Sequence, residues 1–186
     1  MKGSFIMKTE HVNILLVDTH AIEASKVKAF LEQHSELPFC VSHCASRSTA
    51  LQVLKGKSTK VDAIILDLFL IDPTNPKETY KLIHDAAGDT PIIVMTGRKG
   101  HALACEVTAE GASAVVVRER FEADPTRLLD AIEFSLIRAN LLRELKENNA
   151  EEIRYHKQML HWMTGGYSME AESEPIIKTA KDKNAA

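Results

Sequence analysis

A chain of 186 residues with 45% hydrophobic content can bury one sizeable core and is short for two. Its formal net charge of −3 comes from 23 Lys and Arg intermixed with 26 Asp and Glu, which leaves no basic stripe to track a phosphate backbone and argues against nucleic acid. No segment approaches the roughly 18 apolar residues of a membrane span, and the three cysteines, odd in number and without a CxxC pair, suit a reducing cytoplasm.

In chain order, the first strand is expected at "NILLV", residues 13–17, running into Asp18, with a helix at about 21–34. "FCVSHC" at 39–44 is the second strand. Strand alternation puts Cys40 and Cys44 on one face and His43 on the other, so the cysteines read as small hydrophobes and not as metal ligands. A helix at 47–55 leads to "AIILD" at 63–67, and a helix at 76–86 stops at Gly88. "PIIVM" at 91–95 precedes a helix at 99–110 that stops at Gly111, and "AVVV" at 114–117 is the fifth strand. In "ADPTRLLDAI", Asp124 stands as N-cap and Pro125 in the first turn of a last helix.

The strands are dense in Val and Ile, as strands covered on both faces are, and they alternate with helices. That pattern predicts an α/β fold with a parallel, doubly wound sheet and right-handed crossovers. Sheets of this kind bind ligands at the carboxyl ends of their strands. The residues there are Asp18, Asp67, Thr96 and Arg118. Each has a plainer reading alone: a helix cap for either Asp, a turn for Thr96-Gly97, a solvated cluster for Arg118-Glu119-Arg120. Together they suit a phosphoryl group and a metal ion, since one carboxylate can accept phosphoryl as an acyl phosphate and a second can help hold Mg²⁺. The hydroxyl and the cation would meet the phosphoryl oxygens. His20, beside the pocket, is read as a surface histidine at a helix start.

"DAIILDLFLID", "PIIVMTG" and "EGASAVVVRERF" at these separations resemble the CheY-like receiver domain of two-component response regulators, from about residue 11 to 138. The resemblance implies a five-stranded flavodoxin-like sheet of order 2-1-3-4-5. It also implies Asp67 as phospho-acceptor, Asp18 as the acid beside it and Thr96 as switch hydroxyl. Arg118 stands for the family's lysine, Gly97 would touch the phosphoryl group through its backbone, and the Phe69 carbonyl would face the metal. Four departures follow. The acid that normally follows Asp18 is Thr19, which weakens Mg²⁺ binding; the lysine is Arg118; the aromatic switch residue is Val115; and a loop proline is Ile71, although Pro73 and Pro76 still stiffen that loop. Asn75 stands where the family's loop usually has glycine, and it is a residue that tolerates left-handed backbone.

No Gly or Pro interrupts Thr126 to Thr164, which predicts a helix of about 39 residues, near 58 Å long. Phe134, Ile137, Leu141, Leu145, Tyr155, Met159 and Trp162 fall on one approximately heptad stripe, for which a parallel homodimer is the simplest partner. The competing reading is a single helix that frays after Leu145, because Asn148, Asn149 and Glu152 interrupt the stripe. Expected boundaries are 11–138 for the receiver domain, 139–164 for the extended helix and 165–186 for a disordered tail. Helix and tail together are too short for a helix-turn-helix or catalytic output domain.

The function so expected is a switching module and not an enzyme: a cytoplasmic response regulator, phosphorylated on Asp67 by a histidine kinase or phosphotransfer protein with Mg²⁺ bound. The alternative is a pseudo-receiver, a dimerising scaffold that works without phosphorylation. A flavodoxin-like enzyme or nucleotide binder is disfavoured, because no Gly-rich turn follows the first strand.

Overall fold

The computed structural model describes residues 11–33, 38–56, 60–71, 75–97 and 100–163. Five apolar runs form the strands β1 (Val12–Val17), β2 (Phe39–Cys44), β3 (Ala63–Asp67), β4 (Ile92–Thr96) and β5 (Ala114–Val117). They pair in parallel in the order β2-β1-β3-β4-β5. Six helices accompany them: α1 (Ala21–Glu32), α2 (Arg47–Lys55), α3 (Pro76–Ala87), α4 (His101–Ala109), α5 (Arg118–Ala123) and α6 (Thr126–Met163).

The two-residue side-chain period of a strand sorts the apolar residues between the two faces. Ile14, Leu16, Ile65, Ile93 and Met95 pack with Val27 and Leu31 of α1, Phe121 of α5 and Leu128 and Ile132 of α6. Their neighbours Leu15, Val17, Ile64, Leu66, Ile92 and Val94 pack with Ala50 of α2, Tyr80 and Ile83 of α3 and Val107 of α4. Both faces are therefore covered, and β1, β3 and β4 read as unbroken apolar runs. This is the doubly wound, flavodoxin-like sheet expected from the sequence, with its long last helix.

Local signals account for the helix ends. Ser46 caps α2 by accepting from the Thr49 N–H, and the Asp124 carboxylate accepts from both the N–H and the hydroxyl of Thr126 at the start of α6. The bond from the Thr126 hydroxyl, more than any other contact, holds the Asp124 carboxyl below its ordinary range. Gly88 and Gly111 end their helical segments with φ of 60° and 112°, a backbone region that favours glycine.

Three features differ from the sequence reading or add to it. Asn75 is not left-handed: with φ −56° and ψ 132° it is the N-cap of α3, its Oδ1 accepting from the Lys77 N–H. Cys44 is buried, but Cys40 and Cys105 are exposed, so only one cysteine is a core hydrophobe. No helix was expected between the fifth strand and the last helix, yet Arg118, Glu119 and Arg120 open α5, anchored by the buried Phe121. By its internal contacts the chain divides into two compact units, residues 1–144 and 145–186. Among the described residues the second unit is the helix from Leu145 to Met163, with Leu145, Ile153, Tyr155, Met159 and Leu160 exposed along it. The side chain of Trp162, residue Thr164 and the expected tail at 165–186 lie outside the described residues.

Candidate functional site

The pairing register brings the acids together. Val17 stands opposite Leu66, so Asp18 and Asp67, the next residues on adjacent strands, reach the carboxyl edge of the sheet side by side. Both are buried, at 1% and 6% exposure, which is unfavourable for two like charges unless each is hydrogen-bonded and neutralised. The local chain supplies the hydrogen bonds. Oδ1 of Asp18 accepts from the His20 N–H at 2.7 Å, and Oδ1 of Asp67 accepts from the Phe69 N–H at 3.0 Å. Neither acid is a helix cap, since His20 and Asn75 occupy those positions.

Arg118 supplies the counter-charge. Its Nη2 donates to Oδ2 of Asp18 at 3.0 Å and to Oδ2 of Asp67 at 3.2 Å, so one guanidinium nitrogen bridges the pair. Its Nη1 lies 3.9 Å from Oε2 of Glu23, in the first turn of α1. Burial still prevails at Asp67 and pushes its carboxyl above the ordinary value. The Phe69 N–H, Arg118 and His20 pull it back, and the charge on Asp18 adds to the rise.

His20 reaches the pocket as well. Its ring is 58% exposed, yet Nδ1 is 3.4 Å from Oδ1 of Asp18 and 4.0 Å from Oδ2 of Asp67. One ligand atom from each of Asp18, His20 and Asp67 lies within 4.8 Å of the others, a set that can hold a metal ion. Sequence reading passed over His20 as a surface residue. The available signal was its position two residues beyond a strand-end acid, where an Asx-type turn folds the chain back on itself. The Thr19 hydroxyl is buried and makes no hydrogen bond among the described residues.

Thr96 is fully buried beside this group, and its hydroxyl donates to the adjacent Gly97 carbonyl in a long bond of 3.4 Å. The same carbonyl accepts from the Gly100 N–H. A Cβ on Gly100 would overlap the Thr96 hydroxyl and come within 2.6 Å of Cε2 of Phe69, so the Phe69 ring and Thr96 close on the same spot. Phe69 itself is 46% exposed. The aromatic side chain beside Thr96 therefore comes from the loop after β3, while Val115 of β5, partly buried, packs into the core.

A doubly wound parallel sheet with a bridged acidic pair at its carboxyl edge defines the class of this protein. The sequence matches the response regulator receiver domain family over residues 14–133, and the chain belongs to that family. Among curated proteins none matches it. Similar solved structures include a LuxR-family two-component response regulator from Aurantimonas sp. SI85-9A1, 25% identical, with a TM-score of 0.58 over 75% of this chain and 99% of that one. The signal receiver domain of an HD domain-containing protein from Pseudomonas fluorescens Pf-5 is 24% identical, with a TM-score of 0.61 over 75% and 96%. A structure carrying a trimeric coiled-coil segment of yeast Spc42 as a fusion is 16% identical, with a TM-score of 0.64 over 84% and 95%.

Proposed function

We propose that the chain is a phosphorylation-dependent receiver in a two-component pathway, with Asp67 as the phospho-acceptor. The observation that carries this reading is the differentiation of the Asp67 oxygens: Oδ1 is tied to the Phe69 N–H, while Oδ2 is turned to the Arg118 guanidinium. In the proposed step Oδ2 attacks the phosphorus of a phosphohistidine on a histidine kinase or phosphotransfer protein. The P–O bond forms, the P–N bond breaks, and the imidazole leaves with the electron pair. Arg118 follows the new charge, and the Thr96 hydroxyl exchanges its long bond to Gly97 for a phosphoryl oxygen. The backbone of Gly97 supplies a further contact.

Two buried carboxylates at the edge of the sheet fit a divalent cation. Asp18, Asp67 and the Phe69 carbonyl would hold Mg²⁺, which would neutralise phosphoryl oxygens when bound. Thr19 offers no carboxylate, so the site keeps Mg²⁺ more weakly than an acidic triplet would. The switching domain is assigned to residues 11–138. The helix of 139–164 is assigned as its output, pairing with a second copy through Leu141, Leu145, Tyr155 and Met159, all exposed along α6. A cytoplasmic location follows from the proposed kinase partner.

One observation favours the pseudo-receiver instead: Arg118 already bridges both acids, so the pocket has an internal cation in place of a metal. Phosphotransfer decides between them. Incubation with a phosphohistidine donor or with beryllofluoride and Mg²⁺ is expected to modify wild type but not Asp67→Asn, and to alter the oligomeric state measured in parallel. A wild-type chain that takes up neither reagent refutes the acceptor role and leaves the scaffold reading.

A further inference from the structure

We infer that His20 is a cation ligand, and that the pocket selects a nitrogen-accepting first-row divalent cation over Mg²⁺. The inference rests on the same acidic site as the receiver reading and deepens it by naming the cation class. Charge comes first. Two buried carboxylates face one guanidinium, so the ionised group keeps an excess of negative charge, and Glu23, partly exposed, draws on the same guanidinium. A buried excess of that sign calls for a second cation.

Donor chemistry says which one. The residue after Asp18 is Thr19, and its neutral hydroxyl brings no charge. One residue further, the His20 imidazole stands against both acids, 3.4 Å from one oxygen and 4.0 Å from the other. As the N-cap residue of α1 it makes no side-chain capping bond, so helix formation leaves its Nδ1 to the pocket. The three ligand atoms gathered here are one nitrogen and two oxygens. Mg²⁺ takes oxygen ligands and retains its waters, whereas imidazole suits the later first-row ions. With a neutral hydroxyl at Thr19 and an imidazole at His20, the donor set is mixed nitrogen and oxygen.

A cation held by His20 would compete with Arg118 for Oδ2 of Asp67, the oxygen that both side chains face, and Glu23 is the carboxylate within reach of a displaced guanidinium. Binding of the ion and movement of Arg118 are then one exchange.

The test titrates the full chain with Co²⁺ and, separately, with Mg²⁺. Co²⁺ is followed by its visible absorption and both ions by the amide signals of Asp18, Thr19 and Phe69; thiolate charge-transfer bands mark any Co²⁺ held by the exposed Cys40 or Cys105. Later first-row ions bind more tightly than Mg²⁺ at most sites, so the decisive quantity is the effect of His20→Ala on the two ions. The expected result is a loss of about tenfold or more in Co²⁺ affinity with less than about twofold change for Mg²⁺. His20 is largely exposed, so the variant should fold, and an unchanged amide spectrum away from the pocket confirms it. Equal losses for both ions, or none for either, overturn the inference, as does Co²⁺ binding that Asp18→Asn leaves intact. His20-dependent binding in a chain that accepts no phosphoryl group would overturn the receiver reading alone. Phosphoryl acceptance with His20-independent metal binding would overturn only this one.

Discussion

Asp67 and Arg118 illustrate how far a single residue's environment sets its behaviour. Burial raises the Asp67 carboxyl pKa in the folded chain, so the native state holds its proton more tightly than the unfolded chain does. Its contribution to stability is fully present below the unfolded pKa and is lost as pH rises through the folded one. With a chelator present, Asp67→Asn is therefore expected to raise Tm at pH 7 by a few degrees, and the gain should shrink as pH falls through the acidic range. Thermal melts of both proteins across pH check this; a constant or inverted difference would show that the Arg118 bond outweighs burial. Arg118→Ala goes the other way. It leaves two buried carboxylates facing each other without their guanidinium, and breaking a buried pair in this manner costs up to about 3 kcal/mol. Chelated melts should show that loss, and added divalent cation should recover more of it than the same cation adds to wild type.

Among the elements, β1, β3 and β4 were legible because they are covered on both faces and so read as continuous apolar runs bounded by turn residues, whereas the edge strand β2 alternates buried and exposed residues. Helix ends at Gly88 and Gly111 were legible because a positive φ favours glycine there. The short α5 was not, because Arg118, Glu119 and Arg120 carry no apolar period; tertiary packing of Phe121 alone marks it. Asp18, Asp67, Thr96 and Arg118 were legible as strand-end residues once a parallel sheet was inferred. The contribution of His20 was not, since a turn conformation rather than a residue pattern brings its ring to the acids. The closure of Phe69 over Gly100 is likewise a contact between two loops that no local pattern encodes. It carries its own prediction. Gly100→Ala places a methyl group where the Phe69 ring and the Thr96 hydroxyl already meet, and overpacking of that kind costs about 1–3 kcal/mol. Phe69→Ala should relieve part of the strain, so the double variant is expected to be more stable than the sum of the two single effects. Strict additivity in denaturant titrations would show that Thr96 alone absorbs the clash.

For the whole chain, the proposed switch at Asp67 needs an element on which to act. Without an aromatic side chain at Val115 the surface of β5 lacks a ring to carry it, and α6 is the element that runs from the sheet's core cluster into the second compact unit. Leu128, Ile132 and Leu136 are buried in its first turns, whereas Leu141, Leu145, Tyr155 and Met159 expose apolar surface further on. An isolated helix gains little from exposed apolar residues, and burying each against a partner is worth about 1.5–3 kcal/mol. Leu145→Glu with Met159→Glu is therefore expected to weaken self-association by at least about a hundredfold while leaving the sheet's melting transition in place. The polar positions sharpen the test. Asn148 and Glu152 interrupt the stripe, and in a paired helix such residues fix register at the expense of stability. Changing both to Leu should tighten association and broaden it into more than one oligomeric form. Sedimentation equilibrium across micromolar concentrations reads all three proteins. A wild type that stays monomeric throughout would mean that α6 ends as a single exposed helix, and the output would then have to be a different protein docking on it.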